Sequence, residues 1–162
     1  MEAPLISGIA FTKDEAKLTL RGVKDQPGIA SKILAPISEA GIEVDMIVQN
    51  TGADGSTDFT FTVQRSDFQT AHRLLADVAR TIEAAEVLGD ERIAKLSIVG
   101  VGMRSHAGVA TQMFEILANE SINIQVISTS EIKISVVIDE KYLELAARAL
   151  HAGFGLEAIA EA

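Results

Sequence analysis

Two stretches of this chain lie on one another without a gap. GIASKILAPISEAGIEVDMI, Gly28 to Ile47, matches GVATQMFEILANESINIQVI, Gly108 to Ile127, at an offset of about 80 residues. Upstream, KLTLRGV (Lys17 to Val23) falls on KLSIVGV (Lys95 to Val101), and downstream DFTFTVQRSDFQTAHRLL sits opposite IKISVVIDEKYLELAARAL. A repeat of this period, present only twice, means a duplicated domain rather than a solenoid. Each copy has roughly half of the 162 residues in which to build its own core.

Each copy reads as strand, helix, strand, strand, helix. In the first, Leu18, Leu20 and Gly22 alternate with Thr19 and Arg21, the period of a strand. Asp25 is a good N-cap type and Pro27 suits the first helical turn. Ile29, Ile33 and Ile37 form an apolar stripe with Leu34 beside it. Pro36 deletes an internal hydrogen bond there and is expected to kink or shorten the helix, with Gly41 as its stop. Glu43 to Asn50 is a strand, TGADGST a turn, Asp58 to Val63 a further strand and Asp67 to Thr81 a second helix.

In the second copy Ser105 takes the N-cap place of Asp25, and Val109, Met113 and Leu117 form the stripe. Asn123 to Thr129 and Lys133 to Ile138 read as strands, joined by the tighter STSE, and Glu140 to Ala152 as the last helix. Ile82 to Glu91 reads as a linker with an edge strand at Glu86 to Leu88, and Ile6 to Phe11 as an extra strand able to complete either sheet. The expected fold is α+β: two tandem ferredoxin-like βαββαβ domains, antiparallel sheets with helices on one face. They span residues 1–82, with the extra strand at 5–12, and 83–162.

Composition narrows the function. Hydrophobic residues make up 48% but aromatics only 4%, so the cores must be aliphatic. A net charge of −9 argues against a nucleic-acid partner and against an anionic membrane. With no cysteine, disulfides, thiolate catalysis and Cys-ligated zinc are excluded. No apolar run reaches the ~18 residues of a membrane span, and the N-terminus has no basic and apolar signal pattern, so a cytoplasmic protein is expected. Phe59 and Phe61 share a strand face, as in an RNA-recognition sheet, but the acidity favours packing under the helices. VGVGMRSHAG misses the dinucleotide fingerprint, with Ser105 at the third glycine and Gln125 where an acid belongs. His72, His106 and His151 match no metal spacing, and neither a Ser/His/Asp order nor a P-loop is present.

What recurs is a corner between the first strand and first helix of each copy: VKDQPGIA, Val23 to Ala30, and RSHAGVA, Arg104 to Ala110. A helix start offers unpaired N–H groups to a carboxylate or phosphate, and Gly28 and Gly108 let a ligand approach the backbone. The following strand differs between copies. The first carries Glu43 and Asp45 between Val44 and Met46; the second carries Asn123 and Gln125 around Ile124 and Val126. Carboxylates suit a cationic ligand, and amides a neutral polar one.

The stretches EAKLTLRGVKDQPGIA, VDMIVQN, TDFTFTV, KLSIVGVGMRSHAGVA, INIQVISTSEIKISVVI and YLELAARALH resemble the ACT-domain regulatory part of aspartate kinase, of the type with a short β subunit. The resemblance covers nearly the whole chain. It implies a non-catalytic subunit that binds threonine and lysine and mediates feedback inhibition of aspartate-family amino-acid synthesis. It also implies a crossed homodimer and association with a full-length kinase α subunit as α2β2, with no cofactor on this chain. ATP and Mg would belong to the catalytic domain.

By the resemblance, a threonine-type site uses Lys24, Asp25, Pro27, Gly28, Ile29, Ala30 and Gln49, met by Asn123 and Ile124 of a partner. A lysine-type site uses Met103, Ser105, His106, Ala107, Gly108 and Val109, met by Asp45 and Met46, with Ser130 and Glu131 nearby. Crossed pairing would give the acidic strand to the second corner and the amide strand to the first, which matches lysine and threonine respectively. An ACT-type subunit of another biosynthetic enzyme, such as acetolactate synthase, is the alternative.

Overall fold

The structure, a computed structural model, describes residues 5–101, 106–156 and 159–161. Among these are nine strands and four α-helices. They divide into two compact units, residues 14–91 and residues 1–13 with 92–162.

The first-repeat unit runs β2 (Glu15–Lys24), α1 (Ile29–Glu39), β3 (Val44–Thr51), β4 (Ser56–Gln64), α2 (Phe68–Thr81) and β5 (Glu86–Asp90), with a 3-10 turn over Arg65–Asp67. The sheet order is β3-β4-β2-β5, and every neighbouring pair is antiparallel. This is the βαββαβ arrangement expected, with β5 extending the Glu86–Leu88 reading by two residues. Leu18 and Leu20 of β2 and Phe59, Phe61 and Val63 of β4 point into one core. Ile29, Ile33 and Ile37 of α1 and Ala71 and Leu75 of α2 cover it. Phe59 and Phe61 are 1% and 0% exposed, so these rings are core, as the acidic composition favoured.

The second-repeat unit contains β6 (Ile93–Val101), α3 (His106–Asn119), β7 (Val126–Ser130), β8 (Lys133–Asp139), α4 (Leu143–Gly153) and β9 (Ile159–Glu161). β1 (Leu5–Thr12) also belongs here, and the sheet order is β7-β8-β6-β1-β9. The sequence division put residues 5–12 with the first copy. In the structure β1 lies antiparallel to β6, where β5 lies against β2 in the other sheet, and Ile9 enters the second core at 1% exposure. β9 then pairs outside β1 and parallel to it, so this sheet is not wholly antiparallel.

Residues 29–50 and 109–130 share the same burial class at every position but one, Ala35 against Glu115. Pro36 does not shorten its helix: α1 ends at Glu39 and α3 at the matching Asn119. One lost hydrogen bond is outweighed by the burial of Ile33 and Ile37 on either side of it. Among the described residues, no helix is long and apolar enough to cross a membrane.

Candidate functional site

The first corner begins where β2 leaves the sheet. Asp25 N–H donates to the Gly55 carbonyl (3.1 Å), and Ile29 N–H to the Gln26 carbonyl (3.2 Å), which closes a turn over Pro27 and Gly28. The N-cap of α1 is Gly28, not Asp25, and Pro27 lies before the helix rather than in its first turn. Gly28 has φ 88°, a left-handed conformation that costs a residue with a Cβ about 1–2 kcal/mol. No atom lies within 4 Å of where its Cβ would stand, so backbone angle rather than space calls for glycine. The N–H groups of Ala30 and Ser31 have no carbonyl within the helix to donate to, as at every helix start.

Around this turn is an open cleft of about 470 Å³ lined by Asp25, Gln26, Pro27, Gly28, Ile29, Ala30 and Gln49. The geometry brings together all the first-corner residues inferred from sequence except Lys24. Lys24 lines a neighbouring cleft of about 550 Å³ with Lys32, Asp54 and Glu83. Gln26 borders both clefts and was not singled out from the sequence. Its main-chain role in the turn carries no side-chain signature.

The β3–β4 hairpin supports the corner. Its turn is ordered by Asp54, whose Oδ1 accepts from Ser56 Oγ (2.6 Å) and Ser56 N–H (3.0 Å). The Ser56 hydroxyl and then its N–H hold the Asp54 carboxyl below the usual carboxylate range.

Glu43, just before β3, and Asp45, Ile47 and Gln49 on it are exposed, while Met46 is buried at 6%. Met46 N–H donates to Thr62 Oγ1 (3.0 Å) at a bulge between Val44 and Ile47, which re-aims the strand beside Asp45. In the other unit Asn123 is exposed and Ile124 half-buried, but both precede β7, which starts at Val126 rather than Asn123. Gln125 N–H joins them to the sheet by donating to the Val137 carbonyl (2.8 Å). At the second corner His106 opens α3, followed by exposed Ala107 and Gly108 and buried Val109. Met103 and Ser105 lie outside the described residues. Ser130 ends β7 and Glu131 opens the exposed turn after it.

A βαββαβ unit present twice, with a glycine turn at the start of the first helix in the first copy, is the architecture of a tandem ACT-domain protein. ACT-domain family models match residues 18–80 and 96–154. Aspartate kinase of Pseudomonas fluorescens is 70% identical over 158 residues, 98% of this chain but 38% of that protein. The chain thus spans under two fifths of the length of that relative.

Among solved structures, aspartokinase alpha and beta subunits match at 54% identity and TM-score 0.87, over 93% of this chain and 99% of theirs. The ligand-free regulatory subunit of aspartate kinase from Thermus thermophilus matches at 41% identity and TM-score 0.87, with the same coverage. This chain belongs to the aspartate kinase family, as its regulatory, ACT-bearing part.

Proposed function

We propose that this chain senses the end products of the pathway that its kinase opens. Threonine binds at the first corner and lysine at the second, each across a seam between paired copies, and their occupancy inhibits a full-length kinase subunit. The chain works in the cytoplasm as a homodimer and within an α2β2 assembly, with ATP and Mg bound by the kinase domain.

The observation that carries this reading is the first-corner cleft, where Asp25, Gly28 and Ala30 at the start of α1, and Gln49 of β3 line one space. The helix start takes the effector carboxylate, and Asp25 or Gln49 takes its ammonium. Threonine has only about eight heavy atoms, so a dissociation constant in roughly the micromolar to low millimolar range is expected. Supporting the paired arrangement, β3 and β7 are outermost strands of their sheets and carry Ile47 and Ile127, 50% and 45% exposed. Such strands offer both backbone and apolar surface to a second copy. A coupling of ~1–3 kcal/mol between effector and catalytic states suffices for feedback control.

The test is a thermal-shift survey of the chain against the proteinogenic amino acids, singly and in pairs. Stabilisation by threonine and by lysine supports the assignment. A response to branched-chain amino acids instead transfers it to the acetolactate synthase type.

A further inference from the structure

β2 reaches the first corner through a bulge. Its register against β4 breaks between Leu20 and Val23, and Gly22 inside the break has φ 66°. Gly22 N–H donates to Asp58 Oδ1 at 3.0 Å. Three residues on, Asp25 N–H donates to the Gly55 carbonyl at 3.1 Å. Each acceptor belongs to the β3–β4 hairpin or its turn, so the stretch joining sheet to corner is pinned at its two ends. In the second repeat Gly100 occupies the place of Gly22, and its N–H donates to the Ile132 carbonyl at 2.8 Å. At this strand position the first repeat uses a carboxylate side chain where the second uses a peptide oxygen.

We propose that Asp58 is a positioning residue of the first-corner effector site. This rests on reading that corner as the threonine site. Asp58 is partly buried and does not line the cleft, so it acts through Gly22. Its charge strengthens the hydrogen bond to the bulge N–H. Because backbone hydrogen bonds weaken steeply with distance and angle, a small drift of the β2 exit misaims the N–H groups that meet the effector. The bulge glycine has its own constraint, since a Cβ there would stand 2.6 Å from the Ala85 methyl. On the β5 side the Ala85 N–H also donates to the Arg21 carbonyl at 2.9 Å, so the bulge is held from both sides and Asp58 supplies the hold from the hairpin.

The experiment compares the wild-type chain with Asp58→Ala and Asp58→Asn. Amide hydrogen exchange of Gly22 and Asp25 is followed by NMR, and threonine and lysine binding by calorimetry. In Asp58→Ala the Gly22 and Asp25 amides exchange faster, the threonine dissociation constant rises roughly tenfold, and lysine binding is unchanged. Asp58→Asn, whose amide oxygen accepts the same N–H, restores most of the protection and affinity. Unchanged threonine affinity beside a released Gly22 amide overturns the proposal, as does equal weakening of both effectors. A wild-type chain that takes up no threonine defeats the effector reading instead. The pin is then judged on the Asp25 amide, where unaltered exchange in Asp58→Ala overturns it.

Discussion

Gly41 and Ser121 hold the same left-handed backbone position, with φ 75° and 59°, one at the end of α1 and the other at the end of α3. Each donates its N–H three residues back, to the Ser38 and Ala118 carbonyls, and the next residue reaches back five, to Ile37 and Leu117. The second-helix ends show the reverse assignment: Glu83 has φ 55° where the other repeat has Gly155 at 65°. Each repeat thus carries one strained helix end and one relaxed one.

Ser121→Gly is expected to stabilise the chain by about 0.5–1 kcal/mol, because relief of the left-handed strain exceeds the entropy that glycine adds to the unfolded state. Gly41→Ser should destabilise by a similar amount. Urea unfolding of the two variants measures this, and a stable Gly41→Ser chain would contradict it.

Gly28 combines a left-handed backbone with a place in the proposed threonine site, and two substitutions separate them. Gly28→Ala is expected to cost about 1–2 kcal/mol of stability from the left-handed backbone. Gly28→Asp should add a further loss of threonine binding, by repelling the effector carboxylate at the helix start. Undiminished threonine affinity in Gly28→Asp, read by calorimetry, counts against this corner.

Asp45 stands exposed on β3, next to the bulge that Thr62 stabilises. Asp45→Ala is expected to weaken lysine binding roughly tenfold, the loss of one charge-assisted contact, while threonine binding stays nearly intact. Parallel titrations of the two amino acids decide this, and equal losses reject the assignment of charge to ligand.

Asp54 makes the hairpin turn sensitive to acid. Its hydrogen bonds from Ser56 lower its folded pKa, so the folded chain holds this proton more weakly than the unfolded chain does. The contribution is complete above the ordinary aspartate range and is lost as pH falls through the lowered folded value. Stability of wild type relative to Asp54→Ala, measured by urea unfolding from neutral to acid pH, should shrink on acidification. A constant difference contradicts the role given to these bonds.

Most of the fold was legible because the duplication doubles each local signal. The stripe Ile29, Ile33, Ile37 repeats as Val109, Met113, Leu117, and the structure buries all six. The partner of β1 was not legible. Alternation of Ile9 and its neighbours says that the segment is a strand, while the choice of sheet depends on a distant edge that carries no local mark. Asp25 looked like a cap because its type caps helices, but the closed turn over Pro27 and Gly28 moves the helix start three residues on. Asn123 and Gln125 repeat the alternation of Glu43 and Asp45, which suggests a strand, whereas the β7 ladder begins only at Val126, two residues later in the repeat than β3 does at Val44. Asp58 carries no signal in the sequence because its partner is a backbone N–H inside a bulge, and a bulge is a relation between two strands.

Calorimetric titration of the chain with threonine and with lysine, repeated on Gly28→Asp and Asp45→Ala, tests the central claim most directly. The account predicts that wild type binds each amino acid, that Gly28→Asp loses threonine while keeping lysine, and that Asp45→Ala does the opposite. A wild-type chain giving no heat with either amino acid, or variants that lose the two together, would contradict it.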